Sequence, residues 1–548
     1  MERPKFQIFF LLTILLTSSI IRFYQLGKIP NGLSADEADV GYNAFSVLMT
    51  GKDVYNRPYP LFFQSFDIYQ PPFQAYISIP AIYFFGLSDF SMRIAPAILG
   101  TITPVLFFFL SKLLFPKQVI TAYIAAIIAT LAPWNIAASR AQMVTIEVIF
   151  LYLSALILFL TSISKNIKLL PLSFILLGST IYAYHIALIY LPIIFVILAF
   201  VYRRQLLSRK VALVISICAL IATILPAVIF YQDPDTRNRL NTISIFIPDI
   251  TLPTSIAEME FDQQNNIPFS NLIHNRRLVY LSTMLDNYFD YFNMDNLFIS
   301  SRNIRYFYIN NVGLLYLIEL PFFLYGLYIM VKRRSPADFL ILALLLMAPI
   351  PASISLGSSF YHRAPIIFIA LQLISALGIT AFLTKVSSKK IITALFFIYI
   401  GSVYFFLHQY FIHNPQEFTS ERDNGAWYST MKSVIPLVNE RYEKYDRIIF
   451  TWSSQRLMPH VYFLFYNQIH PQLLQERASK FANRPSYTQI YNPIGKIEFR
   501  KINWEEDKKL KKTLLVGYEE DFPKDVAKIG QTTLPNGKPH FLMVETDQ

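Results

Sequence analysis

Three carboxylates, Asp36, Glu37 and Asp39, crowd the stretch Gly32 to Phe45 (GLSADEADVGYNAF), about a dozen residues beyond a long apolar run. Ionisable groups close to a bilayer are costly unless they are solvated or used. A carboxylate here could act as general base on a hydroxyl that comes within hydrogen-bond reach while bulk water is held off. The plainer reading is that the acids solvate a loop, or cap a short helix starting near Ser34. Spacing alone does not choose between the two. Asp39 is expected to do no more than solvate, and Tyr42 and Asn43 follow as further polar neighbours.

Other chemistry-bearing residues recur at similar places between apolar runs. In APWNIAASRAQMVTIEV, Arg140 and Glu147 stand seven residues apart. On a helix that spacing puts both on one face about two turns apart, so both could point into one cavity. A structural ion pair, or snorkelling to the interface, is the competing account. GSSFYHRAP supplies His362 and Arg363. The planar fork of a guanidinium suits a bidentate grip on phosphate, and a headgroup anchor is the alternative. His185, after Tyr182 and Tyr184, reads as a polar interfacial residue rather than a ligand. Arg237, Arg239, Arg276 and Arg277 could attract an anionic head, although solvated surface charge accounts for most of them. No HExxH or other tight ligand spacing occurs, so no cofactor is firmly implied, with room left for a divalent metal. The lack of a P-loop or GxGxxG element argues against an ATP-driven pump or a nucleotide-sugar enzyme.

The elements that must position these residues follow from composition. Of 548 residues, 54% are hydrophobic, 16% aromatic and only 15% charged, against an ordinary charged share of about 25%. With a mean hydropathy of +0.40, this is the profile of an integral membrane protein. The net charge of +12 does not imply nucleic acid, because Lys and Arg form short clusters between apolar runs instead of one basic face. The single cysteine, Cys218, lies inside an apolar run, so no internal disulfide or Cys-based zinc site can form.

Apolar runs fall at 6–24, 94–114, 118–133, 147–164, 169–184, 187–202, 211–231, 313–331, 338–356, 364–383 and 391–411, or roughly eleven spans. The first, preceded by MERPK and followed by no small-x-small cleavage site, reads as a retained signal anchor. Basic clusters around Lys112, Lys165, Arg203, Lys332 and Lys389 all fall on the side of Lys5, which the positive-inside rule makes cytoplasmic. Residues 26–92, 232–312 and the tail from about 412 then lie outside. Pro71, Pro72 and Pro80 break the apolar stretch Gln70 to Gly86, which predicts interfacial helices with Tyr69, Tyr76 and Tyr83 at headgroup depth.

The tail changes character. An amphipathic helix is expected with Asp423 or Asn424 as cap, Trp427, Met431, Val434 and Val438 on one face, and a kink at Pro436. RIIFTW and TLLVGY read as strands, and LPNGKP as a hairpin turn at Asn536-Gly537. The division expected is a catalytic membrane domain over 1–411 and a small α/β external domain over 412–548.

The ADEA segment, the stretch Tyr69 to Thr101 (YQPPFQAYISIPAIYFFGLSDFSMRIAPAILGT), PWNIAASR, IYAYHIALIYLP and NNVGLLYLIELP together resemble the GT-C class of integral-membrane glycosyltransferases. The similarity is to protein O-mannosyltransferases and aminoarabinose transferases, of glycosyltransferase family 39 type, over about residues 1–410. It implies a polytopic helical fold in the plasma membrane. It also implies inverting transfer of a sugar from a polyprenyl-phosphate-linked donor to a hydroxyl on a lipid, glycan or protein, at the outer face. Asp36 matches the acidic position of the base and Glu37 would orient it. Arg363 and Arg140 would neutralise the donor phosphate, with Glu147, His362, Tyr42 and Gln70 around the substrate. Gln70 stands where many relatives carry Lys or His, Leu188 where some carry Arg, and Glu147 substitutes for a second acid near the fourth span. The rival readings are a lipid-linked sugar flippase and an inactive scaffold in surface-glycan assembly. Polar candidates gathered at one face, without paired half-repeats, favour the enzyme.

Overall fold

The computed structural model describes residues 4–237, 244–301, 306–307, 309–357, 360–417, 426–452, 458–481 and 485–547. The expected caps Asp423 and Asn424, as well as Arg239, lie outside the described residues. The chain is an α-helical polytopic membrane protein with a small C-terminal sheet domain. Among the described residues, eight helices are long and apolar enough to cross a membrane. They include α1 (Pro4–Phe23), α4 (Asp89–Leu114), α7 (Val144–Ser164), α9 (Ala187–Leu207) and α10 (Lys210–Phe230). The expected runs at 118–133 and 169–184 give the shorter helices α5 (Val119–Leu131) and α8 (Leu170–Ser179), and Pro133–Ala138 forms α6. Two short helices, α11 (Pro253–Gln264) and the amphipathic α12 (Arg276–Asp290), follow α10.

The run expected to span at 313–331 is helical in its second half alone, as α13 (Leu320–Arg333). Upstream of a single 3-10 turn at Leu317–Glu319 the backbone is irregular and is paired with other elements. The Trp134 amide donates to the Leu314 carbonyl at 3.2 Å, and the Leu315 amide to Leu297 at 2.8 Å. Such backbone is tolerated at membrane depth because it is buried in protein. The helices α14 (Pro336–Met347), α15 (Ile367–Lys385) and α16 (Lys389–His408) complete the bundle. Helices α13 and α15 cross at Gly326 and Gly378, where a Cβ on either would run into the other's carbonyls. Above this crossing Trp134 stacks on Phe368 with ring centres 4.5 Å apart, and its Nε1 donates to Gln372 at 3.1 Å.

In the first polar segment, α2 (Ala35–Thr50) begins at a capping box between Ser34 and Glu37, so the carboxylates stand on a helix rather than a loop. A hairpin of β1 (Phe63–Ser65) and β2 (Ile68–Gln70) follows, then α3 (Phe73–Phe85), which at 13 residues is too short to span. Of the tyrosines expected at headgroup depth, Tyr83 is exposed, whereas Tyr69 is buried against Phe230 and Tyr76 donates to the Pro60 carbonyl at 2.9 Å. These two hold the hairpin to the bundle.

The tail forms a five-stranded sheet in the order β4-β3-β5-β7-β6. The strands β3 (Arg447–Phe450), β4 (Ile497–Phe499) and β5 (Lys511–Gly517) run parallel, and β7 (Pro539–Asp547) is antiparallel to β5 and to β6 (Gly530–Thr533). Both expected strands are present, and Gly537 has φ 83° in the turn between β6 and β7. The amphipathic helix α17 runs Ser429–Arg441 with Pro436 inside, burying Met431, Val434 and Val438. Trp427 precedes it, contrary to its expected place on the helix. With α18 (Pro459–Tyr466) and α19 (Gln472–Ala478), the tail shares one apolar core with α2: Ala38, Tyr42 and Val47 pack in the same cluster as Val434, Tyr462 and Phe465.

Candidate active site

The two consecutive carboxylates at the start of α2 point in different directions. Glu37 reaches back to the N-cap and is fully buried. Its Oε2 accepts from the Ser34 amide at 3.0 Å, and its Oε1 from the Gln142 amide at 2.9 Å and from Arg93 Nε at 3.3 Å. Arg93 in turn donates to the carbonyls of Pro30 at 2.8 Å and Gly32 at 2.5 Å. Glu37 therefore closes the chain around the first turn of α2, and the capping reading holds for this residue.

Asp36 is exposed and lines a small, open cavity of about 80 Å³. The Tyr306 hydroxyl donates to its Oδ2 over a long 3.4 Å. Gln70 and Gln74 come to the cavity from the end of β2 and the first turn of α3, Gln142 from the turn before α7, Tyr184 and His185 from the turn before α9, and His362 from the turn before α15. The ring of His362 meets Tyr306 edge-on at 5.3 Å, and Gln70 is fixed by a 3.1 Å bond from its Nε2 to Ser65 Oγ. An exposed carboxylate is thus ringed by amides, imidazoles and phenols. That set can take a proton and hold hydroxyls and anionic oxygens.

Four expected site residues lie elsewhere. Arg140 occupies a turn between α6 and α7, not a continuous helix with Glu147, so the shared-face argument fails. It is buried, with Nη1 donating to the carbonyls of Ile21 and Arg22 at 2.9 and 2.6 Å and Nη2 to those of Tyr24 and Ile29 at 2.8 and 3.0 Å. It caps the end of α1 and does not line the cavity. Glu147 is buried one turn below Val144, near Gln74. Arg363 donates to the Leu356 carbonyl at 2.7 Å and lies over the Phe360 ring. Tyr42 is buried and donates to the Ile469 carbonyl of the tail at 2.8 Å.

Asp39, expected to be solvated, is instead buried behind Asp36 on the same helix. Burial first, and the Asp36 charge to a lesser degree, push its carboxyl up to about 7, against the pull of hydrogen bonds to Ser65 and Asn43.

Sequence reasoning passed over Gln74, Gln142 and Tyr306, and read His185 as a polar interfacial residue rather than a ligand. Gln74 had a readable signal, four residues after Gln70 on a proline-started helix. His185 and Tyr306 had none, since their approach depends on how three distant turns converge. Three guanidiniums, Arg22, Arg93 and Arg140, are buried near one another, with Arg93 beside the buried carboxylates of Glu37 and Asp89. Among the described residues no group of three or more His, Cys, Asp or Glu could hold a metal ion.

Residues 69–230 match the sequence family described as dolichyl-phosphate-mannose-protein mannosyltransferase. No curated protein matches the chain. Among solved structures, ArnT from Cupriavidus metallidurans is similar in its apo state, with 12% identity over 99% of this chain and 98% of that one and a TM-score of 0.53. Its complex with undecaprenyl phosphate gives 13% identity over 100% and 98%, with a TM-score of 0.56. The archaeal oligosaccharyltransferase AglB from Archaeoglobus fulgidus, in complex with an inhibitory peptide and a dolichol-phosphate, matches 84% of this chain at 14% identity and a TM-score of 0.47. This chain spans 63% of that protein's length. The fold is that of the GT-C membrane glycosyltransferases.

Proposed function

We propose that this GT-C membrane protein is a glycosyltransferase that moves a sugar from a polyprenyl-phosphate-linked donor to a hydroxyl acceptor, with inversion, and that Asp36 is the general base. The observation that carries the proposal is the separation of roles on α2. Glu37 is committed to the fold, Asp39 is buried, and Asp36 alone of the three meets the cavity. The basic clusters at the opposite end of the bundle favour placing this cavity on the outer face.

In the reaction the Asp36 carboxylate takes the proton of the acceptor hydroxyl as its oxygen attacks C1 of the sugar from the side away from the phosphate. The bond from C1 to the phosphate oxygen breaks with its electron pair, and configuration at C1 inverts. The departing polyprenyl phosphate gathers negative charge, which the N–H groups of Gln70, Gln74 and Gln142 and the imidazoles of His185 and His362 are arranged to meet.

The test is transfer in proteoliposomes supplied with a panel of polyprenyl-phosphate sugars. Asp36→Asn and Asp36→Ala are expected to lower the rate by about 10²–10⁴-fold, the usual worth of a positioned base. No transfer by the native chain from any donor would overturn the activity; full activity in both variants would overturn the role of Asp36.

A further inference from the structure

Helix α12 (Arg276–Asp290) is divided lengthwise between a face held by the protein and a face left exposed among the described residues. On the held side, Asn287 Nδ2 donates to the carbonyls of Ser353 and Ser355 at 3.0 and 3.2 Å. At its end, Tyr291 donates to the Phe360 carbonyl at 3.2 Å, and Tyr361 donates back to the Tyr291 carbonyl at 2.9 Å. On the other side Leu278, Leu281, Leu285 and Phe289 are exposed by 46, 47, 41 and 64%. Spacings of three and four residues set these side chains in one stripe along the helix. Exposed polar groups flank it, Arg277 on one edge and Ser282 and Asp286 on the other.

The depth of the helix says what covers the stripe. Tyr288, beside the stripe, donates its hydroxyl to the Leu346 carbonyl at 2.8 Å. Leu346 belongs to an apolar span that begins at Pro336 and ends at Ser353, the residue whose carbonyl Asn287 holds, and it is itself half exposed to the surroundings of the bundle. The stripe therefore lies level with the end of a span, where acyl chains give way to headgroups. The chain leading into α12 adds exposed Phe269, Leu272 and Ile273 on the approach, and Arg276 and Arg277 open the helix, as suits an anionic headgroup layer.

We propose that α12 is an in-plane amphipathic anchor whose Leu278, Leu281, Leu285 and Phe289 stripe is seated in the upper acyl region of the leaflet on the active-site side, with Arg276 and Arg277 among the headgroups. The inference stands on the membrane fold and does not depend on the proposed activity.

Site-directed fluorescence tests it. In a Cys218→Ala background, Leu281→Cys, Leu285→Cys and, as the control on the polar edge, Asp286→Cys are each labelled with a small fluorophore. Each protein is reconstituted into vesicles of phosphatidylethanolamine and phosphatidylglycerol, with and without a lipid spin-labelled high on its acyl chain. Quenching at positions 281 and 285 is expected to exceed that at 286 by about twofold or more, as for apolar faces sunk roughly 5–10 Å into the interface. Equal quenching at all three positions would overturn the proposal. So would cross-linking of two copies through position 285 without lipid quenching, which would assign the stripe to a second copy of the chain.

Discussion

Asp36 and Glu37 differ by one position on α2, and that step of about 100° decides their chemistry. At the third helical position a carboxylate can fold back onto the N-cap amide; at the second it cannot and faces outward. Replacing Glu37 by Gln leaves Arg93 buried without its counter-charge, a change worth about 3–5 kcal/mol when one partner of a buried pair is lost. The expected outcome is a clear fall in the thermal midpoint of purified protein, while Asp36→Asn leaves that midpoint unchanged. A pH series tests Asp39. Its carboxyl stands at about 7 in the folded protein against an ordinary 3.8, so the folded state holds a proton that the unfolded chain releases. Its contribution to stability is full below about pH 4 and is lost as the pH rises through 7, by about 1.4 kcal/mol per unit over that window. Asp39→Asn should therefore gain stability relative to the native chain as the pH goes from 5 to 8; a gap that does not change with pH would refute the buried-carboxyl account. The Ser34-x-x-Glu37 spacing made the cap readable in the sequence. The burial of Asp39 and Arg140 was not readable, because it depends on the tail and on the end of α1 folding over them.

At the level of elements, hydropathy located the apolar runs because each needs only local composition. It could not see that residues 309–316 run as irregular backbone, since the hydrogen bonds that make this tolerable come from Asn296, Leu297 and Trp134. The hairpin of β1 and β2, which brings Gln70 to the cavity, was equally invisible: three-residue strands carry almost no periodic signal. The crossing of α13 and α15 offers a direct test of packing. Gly378→Ala would drive a methyl group into the Phe322 carbonyl, and overpacking of this kind costs about 1–3 kcal/mol or more. The same change at Gly401, where a Cβ meets nothing within 4 Å, should be neutral or slightly stabilising. Comparable losses of folded, monodisperse protein in the two variants would show that the crossing is not close.

Across the whole molecule, the tail is joined to the helix that carries Asp36. Tyr462 donates to the Leu33 carbonyl at 3.1 Å, the Tyr428 amide to the same carbonyl at 3.1 Å, and Lys432 pairs with Asp89 at 2.9 Å. The buried amide of Gln475 reaches Thr50 Oγ1 at 2.7 Å and the Asp53 carbonyl at 3.1 Å. Gln475→Ala strands these acceptors, at about 1–3 kcal/mol, and should weaken the hold of α2 enough to make the segment after Thr50 more open to limited proteolysis. Unchanged cleavage would mean that the apolar contacts suffice by themselves.

The shared core also sets an order of events during biogenesis. Helix α2 leaves the ribosome early, yet Tyr428, Tyr462 and Gln475 emerge only after every apolar run has been delivered to the membrane. Until then Ala38, Tyr42 and Val47 lack the tail side chains that bury them, while Glu37 already ties the first turn of α2 to Arg93 and Gln142. A partly made chain can therefore insert its spans while one face of the helix presenting Asp36 is still unpacked.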